Sequence, residues 1–229
     1  MLAPIALAAC AACAAACELP RDADGTLDRV RGGVIRVGVI PDPPWTVDSA
    51  GTVAGIEGLL VGELARGLGA RVQWSRRPAH ELLAALHARE LDLVIGGLTA
   101  DLSWKHEAAF TKPYYTDTVV IGADSGRPAP PDLQGVEVLV EAGSGIAADL
   151  EKAGATARHV DRLEGTRGLV AAPTWRIAAL GREPTALVLR ESPHVLAAAP
   201  GENAFLMRVE RVLRARRSAV PRLLRSAAP

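Results

Sequence analysis

Residues 34–40 read Val-Ile-Arg-Val-Gly-Val-Ile and run straight into Pro41. A β-branched apolar run of this length, closed by a residue that cannot donate to a sheet ladder, predicts a buried first strand. Pro41-Asp42-Pro43-Pro44-Trp45 follows as a loop. Leu60, Leu64 and Leu68 then recur four residues apart between Glu57 and Gly69, which predicts a helix ended by the glycine. Residues 71–74 read as a short strand, and 80–90 as a helix with Leu82, Leu83 and Leu86 inward. Residues 91–95 (LDLVI) are a strand stopped by Gly96-Gly97. This β-α-β-α-β order predicts a parallel sheet with right-handed crossovers.

Further along, residues 117–123 (DTVVIGA) read as a strand, and 124–131 as a Gly-, Pro- and Ser-containing linker that marks a unit boundary. The second unit opens with a strand at 136–140, a turn at Gly143-Ser144-Gly145 and a helix at 146–152. A strand at 169–172 and a helix around 175–180 follow. The chain is then expected to return to the first unit through 187–189 and 194–198. It ends in a helix from Glu202 to about Arg214, with Phe205, Leu206, Val209, Val212 and Leu213 as its buried stripe.

In the other direction, residues 18–32 are polar and aperiodic and predict a linker. All three cysteines, Cys10, Cys13 and Cys17, lie in the first 17 residues, so no cysteine metal site or disulfide can belong to the body. The stretch 1–17 is uncharged and too short to span a bilayer as a helix, but suits the apolar core of a signal peptide. Leu7-Ala8-Ala9-Cys10 resembles a lipobox and Ala14-Ala15-Ala16-Cys17 a weaker copy. The basic residues expected ahead of such a core are missing. With a start upstream of Met1, Cys10 is the better lipidation site; with a start at Met1, Cys17 is. The chain is therefore expected to be exported and lipid-anchored.

Composition narrows the function classes. Basic and acidic residues balance at 26 each, which argues against a nucleic-acid partner. At 49% hydrophobic and 23% charged residues the chain has the means to build a core. The sequence holds no G-x-S-x-G, H-E-x-x-H or Walker loop. No cofactor is predicted.

Four segments carry a family likeness. They are Ile35-Arg36-Val37-Gly38-Val39 with Pro43-Pro44-Trp45; Gly55-Ile56-Glu57-Gly58-Leu59-Leu60; residues 91–99 (LDLVIGGLT); and Phe110-Thr111-Lys112-Pro113-Tyr114-Tyr115. Their order and spacing resemble the extracellular solute-binding proteins of the polar amino-acid type, the capture components of ABC importers. The resemblance covers 33–123 well, 132–180 loosely, and the last helix. It implies an α/β periplasmic-binding-protein-like fold of two lobes, each a small mostly parallel sheet flanked by helices, with two crossover strands as hinge. The expected lobes are 33–123 plus 186–229, and 124–185. The second is reduced, since only eight residues separate His159 from Gly168 where the family carries a helix. The implied partners are a small-molecule ligand and a membrane permease, with the protein itself a monomer.

In open α/β sheets, ligands bind at the carboxyl ends of strands. Those ends point to Asp42, Trp45, Gly97, Leu98 and Thr99 in the first lobe and to Ser144 and Gly145 in the second. Trp45 either lays a flat face on the ligand or caps the core edge. Ser144 is either a ligand contact at a helix start or a plain cap. Glu57 matches the family's acidic position, or is only a first-turn helix residue.

The departures from the family are as informative. An Arg that usually precedes the Phe-x-x-Pro-Tyr-Tyr element by six residues, to clamp a ligand carboxylate, is replaced by Trp104, with Lys105 adjacent. An Asp expected in the second lobe is absent from Ala171-Ala172-Pro173-Thr174-Trp175. The expected ligand is therefore not a standard α-amino acid, with Trp104 and Trp175 favouring an aromatic or partly apolar one. Two other classes remain open. One is an enzyme resembling cyclohexadienyl dehydratases, with Glu57, Asp42, Asp101 or Glu141 as acid. The other is a sensory domain signalling through protein contacts. The five histidines (80, 87, 106, 159, 194) read as ordinary surface or helix residues.

Overall fold

The computed structural model describes residues 21–49, 51–100 and 107–227. Helix α1 (Thr26–Val30) leads into strand β1 (Val34–Val39), and β2 (Val47–Ser49) with β3 (Thr52–Ala54) forms a hairpin ahead of helix α2 (Gly55–Leu68). Strand β4 (Arg71–Ser75), helix α3 (Ala79–His87) and strand β5 (Leu93–Ile95) complete the predicted alternation. β1 pairs in parallel with both β4 and β5. Gly69 ends α2 in the left-handed conformation, as its position predicts.

The chain continues through β6 (Ala109–Phe110), β7 (Tyr115–Asp124), β8 (Glu137–Glu141), α4 (Ala147–Lys152), β9 (Thr156–Val160) and β10 (Val170–Pro173). It closes with α5 (Thr174–Ile177), β11 (Arg182–His194), β12 (Ala197–Ala198), α6 (Asn203–Arg216) and α7 (Val220–Ala227). Two five-stranded sheets result, ordered β4-β1-β5-β12-β6 and β11-β7-β10-β8-β9. Each is a three-stranded parallel block extended by two antiparallel pairings.

Both sheets are covered on both faces, which explains why their central strands read as unbroken apolar runs. Leu93 and Ile95 join Ile35, Val37 and Val39 against Leu60 and Leu64 of α2 and Phe205 and Val209 of α6. Val94, one residue out of phase, packs on the other face with Leu82 and Leu86 of α3. In the second sheet Val138 and Val140 pack on Leu150 of α4, while Leu139 faces Leu163, Val170 and Ile177.

Three expectations are corrected. The strand at 117–123 belongs to the second sheet, not the first. It pairs with β11 from Tyr115↔His194 to Asp124↔Arg182, and the place beside β5 is taken by β12. Residues 187–189 likewise lie in β11, and only Val195 onward rejoins the first sheet. The segment read as a linker is docked along its described part: Asp24 and Thr26 backbone N–H groups donate to Glu202 at 3.0 and 3.1 Å, and Phe205 N–H donates to Asp22 at 2.9 Å. The stretch from 161 to 169 contains no helix. The calls on residues 1–17, Cys10 and Cys17 included, lie outside the described residues.

Candidate functional site

A cleft of about 560 Å³ lies between the two sheets. Its walls come from the carboxyl ends of parallel strands on both sides: Asp42 and Trp45 after β1, Gly97 and Thr99 after β5, Glu141 and Ser144 at the end of β8. β10 and α5 add Pro173, Trp175 and Arg176, and the crossover pair adds Asp117 from β7 with Arg190 and His194 from β11.

Seven residues singled out from sequence thus meet here: Asp42, Trp45, Gly97, Thr99, Ser144 and Trp175 as ligand contacts, and Glu141 as a candidate acid. Trp45 caps the core edge, one of its two readings, and also borders the cleft. It is 5% exposed and part of the first core. Its ring lies over His194, with centroids 3.7 Å apart and planes 30° from parallel. Gly97 has φ +64°, and a Cβ there would collide with Asp42 Oδ2 and the Trp45 ring. Only glycine lets this turn approach so closely. Ser144 stands at the rim, its hydroxyl donating to the Glu141 carbonyl at 2.8 Å, so it serves its own turn.

The other predicted residues separate from the cleft. Leu98 is buried in the core cluster on the α3 side of the first sheet. Gly145 is not part of the wall. Trp104, Lys105 and Asp101 lie outside the described residues. Glu57 sits beneath the site, fully buried. Gly96 and Gly97 N–H groups donate to its Oε2 at 2.7 and 3.2 Å, and the Tyr114 hydroxyl donates to its Oε1 at 2.8 Å. Burial pushes the Glu57 carboxyl up to about 7 against the pull of those three bonds, and nearby Asp42 adds to the rise.

The ionic groups of the cleft are largely ones that sequence reading passed over. Arg176 Nη2 donates to Glu164 at 2.9 Å, and its Nη1 pairs with Glu141. Arg190 Nη1 donates to Asp149 at 2.6 Å. Asp117 carries no ion pair among the described residues, and its Oδ1 is buried without a hydrogen-bond partner. Burial pushes its carboxyl up to about 6, with the Trp175 indole, Arg190 and the Thr118 N–H pulling the other way. Burial also raises Asp42. His194 is 4% exposed, contrary to the surface reading, and burial pushes its imidazole down to about 4, so it is neutral near pH 7.

Signals for these residues exist but are short. Asp117 is a lone acid opening an apolar strand, and Arg176 is one position beyond Trp175. The segment 171–175 has no carboxylate, but Asp117 lies on the neighbouring strand, two residues from Val119, which pairs with Pro173. The loop that replaces a helix contributes Leu163, 2% exposed, and Glu164.

The family model described as bacterial extracellular solute-binding proteins, family 3, matches residues 35–219. The arginine-binding extracellular protein ArtP of Bacillus subtilis (strain 168) is 29% identical over 103 residues, 44% of this chain and 40% of that protein's length. The chain's match thus spans less than half the curated relative. Among solved structures, an ancestral cationic amino acid solute-binding protein superposes with a TM-score of 0.67 at 19% identity, covering 89% of this chain and 100% of the other. The B. pertussis BvgS periplasmic domain gives 0.66 at 21% identity, covering 88% of this chain and 44% of the other. The unliganded, open L-cystine solute receptor of Neisseria gonorrhoeae gives 0.65 at 17%, covering 86% and 94%. At these identities the structural likeness establishes the fold.

Proposed function

The chain belongs to the bacterial extracellular solute-binding proteins, family 3, and from that premise we propose that it captures a small polar solute in the cleft between its sheets and delivers it to a membrane permease of an ABC importer. The observation that carries this reading is the cleft itself. It is built from strand ends of both sheets, and it places partly buried ionisable side chains with shifted affinities for protons around a volume of ligand size.

The crossover supports a hinge. β7 and β11 both begin or end where the chain passes between sheets, at Tyr115 and His194, which pair directly. On this reading the lobes are 33–114 with 195–227, and 115–194. Ligand would select the closed arrangement by contacting both at once. The names of the similar proteins, an arginine binder and a cationic amino-acid binder, favour a nitrogen-rich solute. Export, with lipid anchoring at Cys10 or Cys17, completes the proposal, and labelling of cells with a fatty-acid analogue tests the anchor.

Native mass spectrometry of protein purified from its host tests the binding reading. A stoichiometric small-molecule adduct, whose addition to stripped protein raises the melting temperature, is the expected result. Adduct-free protein that no amino acid, amine, sugar or organic acid stabilises would sink it.

A further inference from the structure

Resting on the reading of the cleft as a solute site, we propose that its ligand is a small organic cation without a carboxylate, an amine or guanidine, rather than a zwitterionic amino acid. The wall carries three carboxylates, Asp42, Asp117 and Glu141, and two guanidinium groups, Arg176 and Arg190.

Both guanidinium groups are already neutralised by the protein. Glu141 and Glu164 hold the two Nη atoms of Arg176, and Asp149 holds Arg190. The Nε–H groups of both are buried without a partner, and Arg190 keeps its Nη2 outside these pairs. A ligand carboxylate therefore meets guanidinium groups whose charge protein carboxylates already balance. To be clamped by both Nη atoms of either arginine it would have to displace an existing partner, leaving a carboxylate of the protein uncompensated.

The anionic side of the site is in the opposite condition. Neither Asp42 nor Asp117 enters an ion pair among the described residues, and Asp117 Oδ1 is buried with no partner. Burial disfavours the charged form of both. An ammonium or guanidinium group arriving beside them supplies the missing countercharge and hydrogen-bond donors in a low-dielectric setting. The Trp45 and Trp175 indoles border the same space, and aromatic faces attract cations and repel carboxylates. His194 adds no positive charge, because it is neutral there.

Matched pairs of probes that differ only by a carboxylate test the proposal by isothermal titration on the full chain. Agmatine is compared with arginine and cadaverine with lysine. At least one amine is expected to bind about ten-fold or more tightly than its amino acid. Asp117→Asn should weaken that amine about ten-fold, while Glu137→Gln, an exposed carboxylate outside the wall, leaves it within about two-fold. Asp42→Asn provides a second, independent loss if Asp117→Asn unfolds by circular dichroism. An amino acid that binds as tightly as its amine overturns the inference and leaves the solute-binding reading intact. So does a native adduct bearing a carboxylate. Failure of both amines to bind while another solute does has the same meaning. Failure of every solute overturns both.

Discussion

Tyr114 donates its hydroxyl to the fully buried Glu57 carboxylate at 2.8 Å, and so ties the residue that precedes the crossover strand β7 to the turn that floors the cleft. The other Glu57 oxygen receives the Gly96 and Gly97 N–H groups. No cation balances this carboxylate among the described residues, and three hydrogen bonds are its only compensation.

The first prediction concerns that network. Because burial raises Glu57 to about 7, the folded chain holds a proton that the unfolded chain has lost between about pH 4.5 and 7. Its contribution to stability therefore falls as pH rises through that window and levels off above it. Glu57→Gln keeps the shape and removes the titration. Relative to the parent, the variant should gain roughly 1–3 kcal/mol between pH 5 and pH 8 in urea denaturation. Tyr114→Phe should cost about 1–3 kcal/mol by leaving a buried oxygen unpaired. A pH-independent difference between parent and Glu57→Gln would contradict the first part.

Binding of a cationic ligand should weaken in acid. Burial holds Asp117 at about 6, so it is ionised at pH 7.5 and largely protonated at pH 5. Asp42, also raised by burial, acts in the same direction. Agmatine affinity is expected to drop about ten-fold over that range. In Asp117→Asn the pH dependence should shrink to what Asp42 alone contributes. Titrations at four pH values, with the melting temperature followed in parallel, separate loss of binding from loss of fold.

A third expectation is purely structural. Asp92 is 1% exposed and accepts from Arg29 Nη2 at 2.5 Å, Arg36 Nη2 at 2.7 Å and the Arg36 backbone N–H at 2.8 Å. It thereby joins the entry of β5 to β1. Asp92→Ala should cost about 2–3 kcal/mol, less than the ~3–5 kcal/mol of a fully buried pair, because both arginines are partly exposed. Chemical denaturation measures it, and a loss under about 0.5 kcal/mol would count against the account.

The last compares two glycines. Gly97 and Gly126 both have positive φ, +64° and +76°, but a Cβ at Gly97 meets Asp42 and Trp45, whereas Gly126 faces open space. Alanine at Gly126 should cost about 1 kcal/mol from backbone strain alone. Alanine at Gly97 should cost more and should also abolish measurable solute binding, since Asp42 and Trp45 must move. Equal effects at the two sites would refute the close-approach argument.

Much of the first sheet was legible because its signals are local. The apolar run at 34–40, the four-residue leucine spacing before Gly69 and the Gly96-Gly97 stop each need only neighbouring residues to be read. Strand ends follow from the same runs, and that is why Asp42, Trp45, Gly97 and Thr99 were placed at the cleft. β9 escaped notice because it is a polar edge strand, Thr-Ala-Arg-His-Val, with only Ala157 and Val160 partly covered. α7 escaped because it is short and separated from α6 by a 3-10 turn.

The sequence by itself determined the alternation of strands and helices, the family, and the absence of an Arg and an Asp at the usual clamp positions, because residue type and spacing carry those statements. Only the tertiary structure decided which sheet β7 joins, since a strand's place depends on its partner, and β11 lies 58 residues beyond the end of β7. It alone also decided the charge state of the cleft. Nothing along the chain marks Arg176 or Arg190, but folding brings Glu141, Glu164 and Asp149 to them and leaves Asp42 and Asp117 without an ion pair among the described residues. Ion pairing in three dimensions, not composition, sets the charge that a ligand meets.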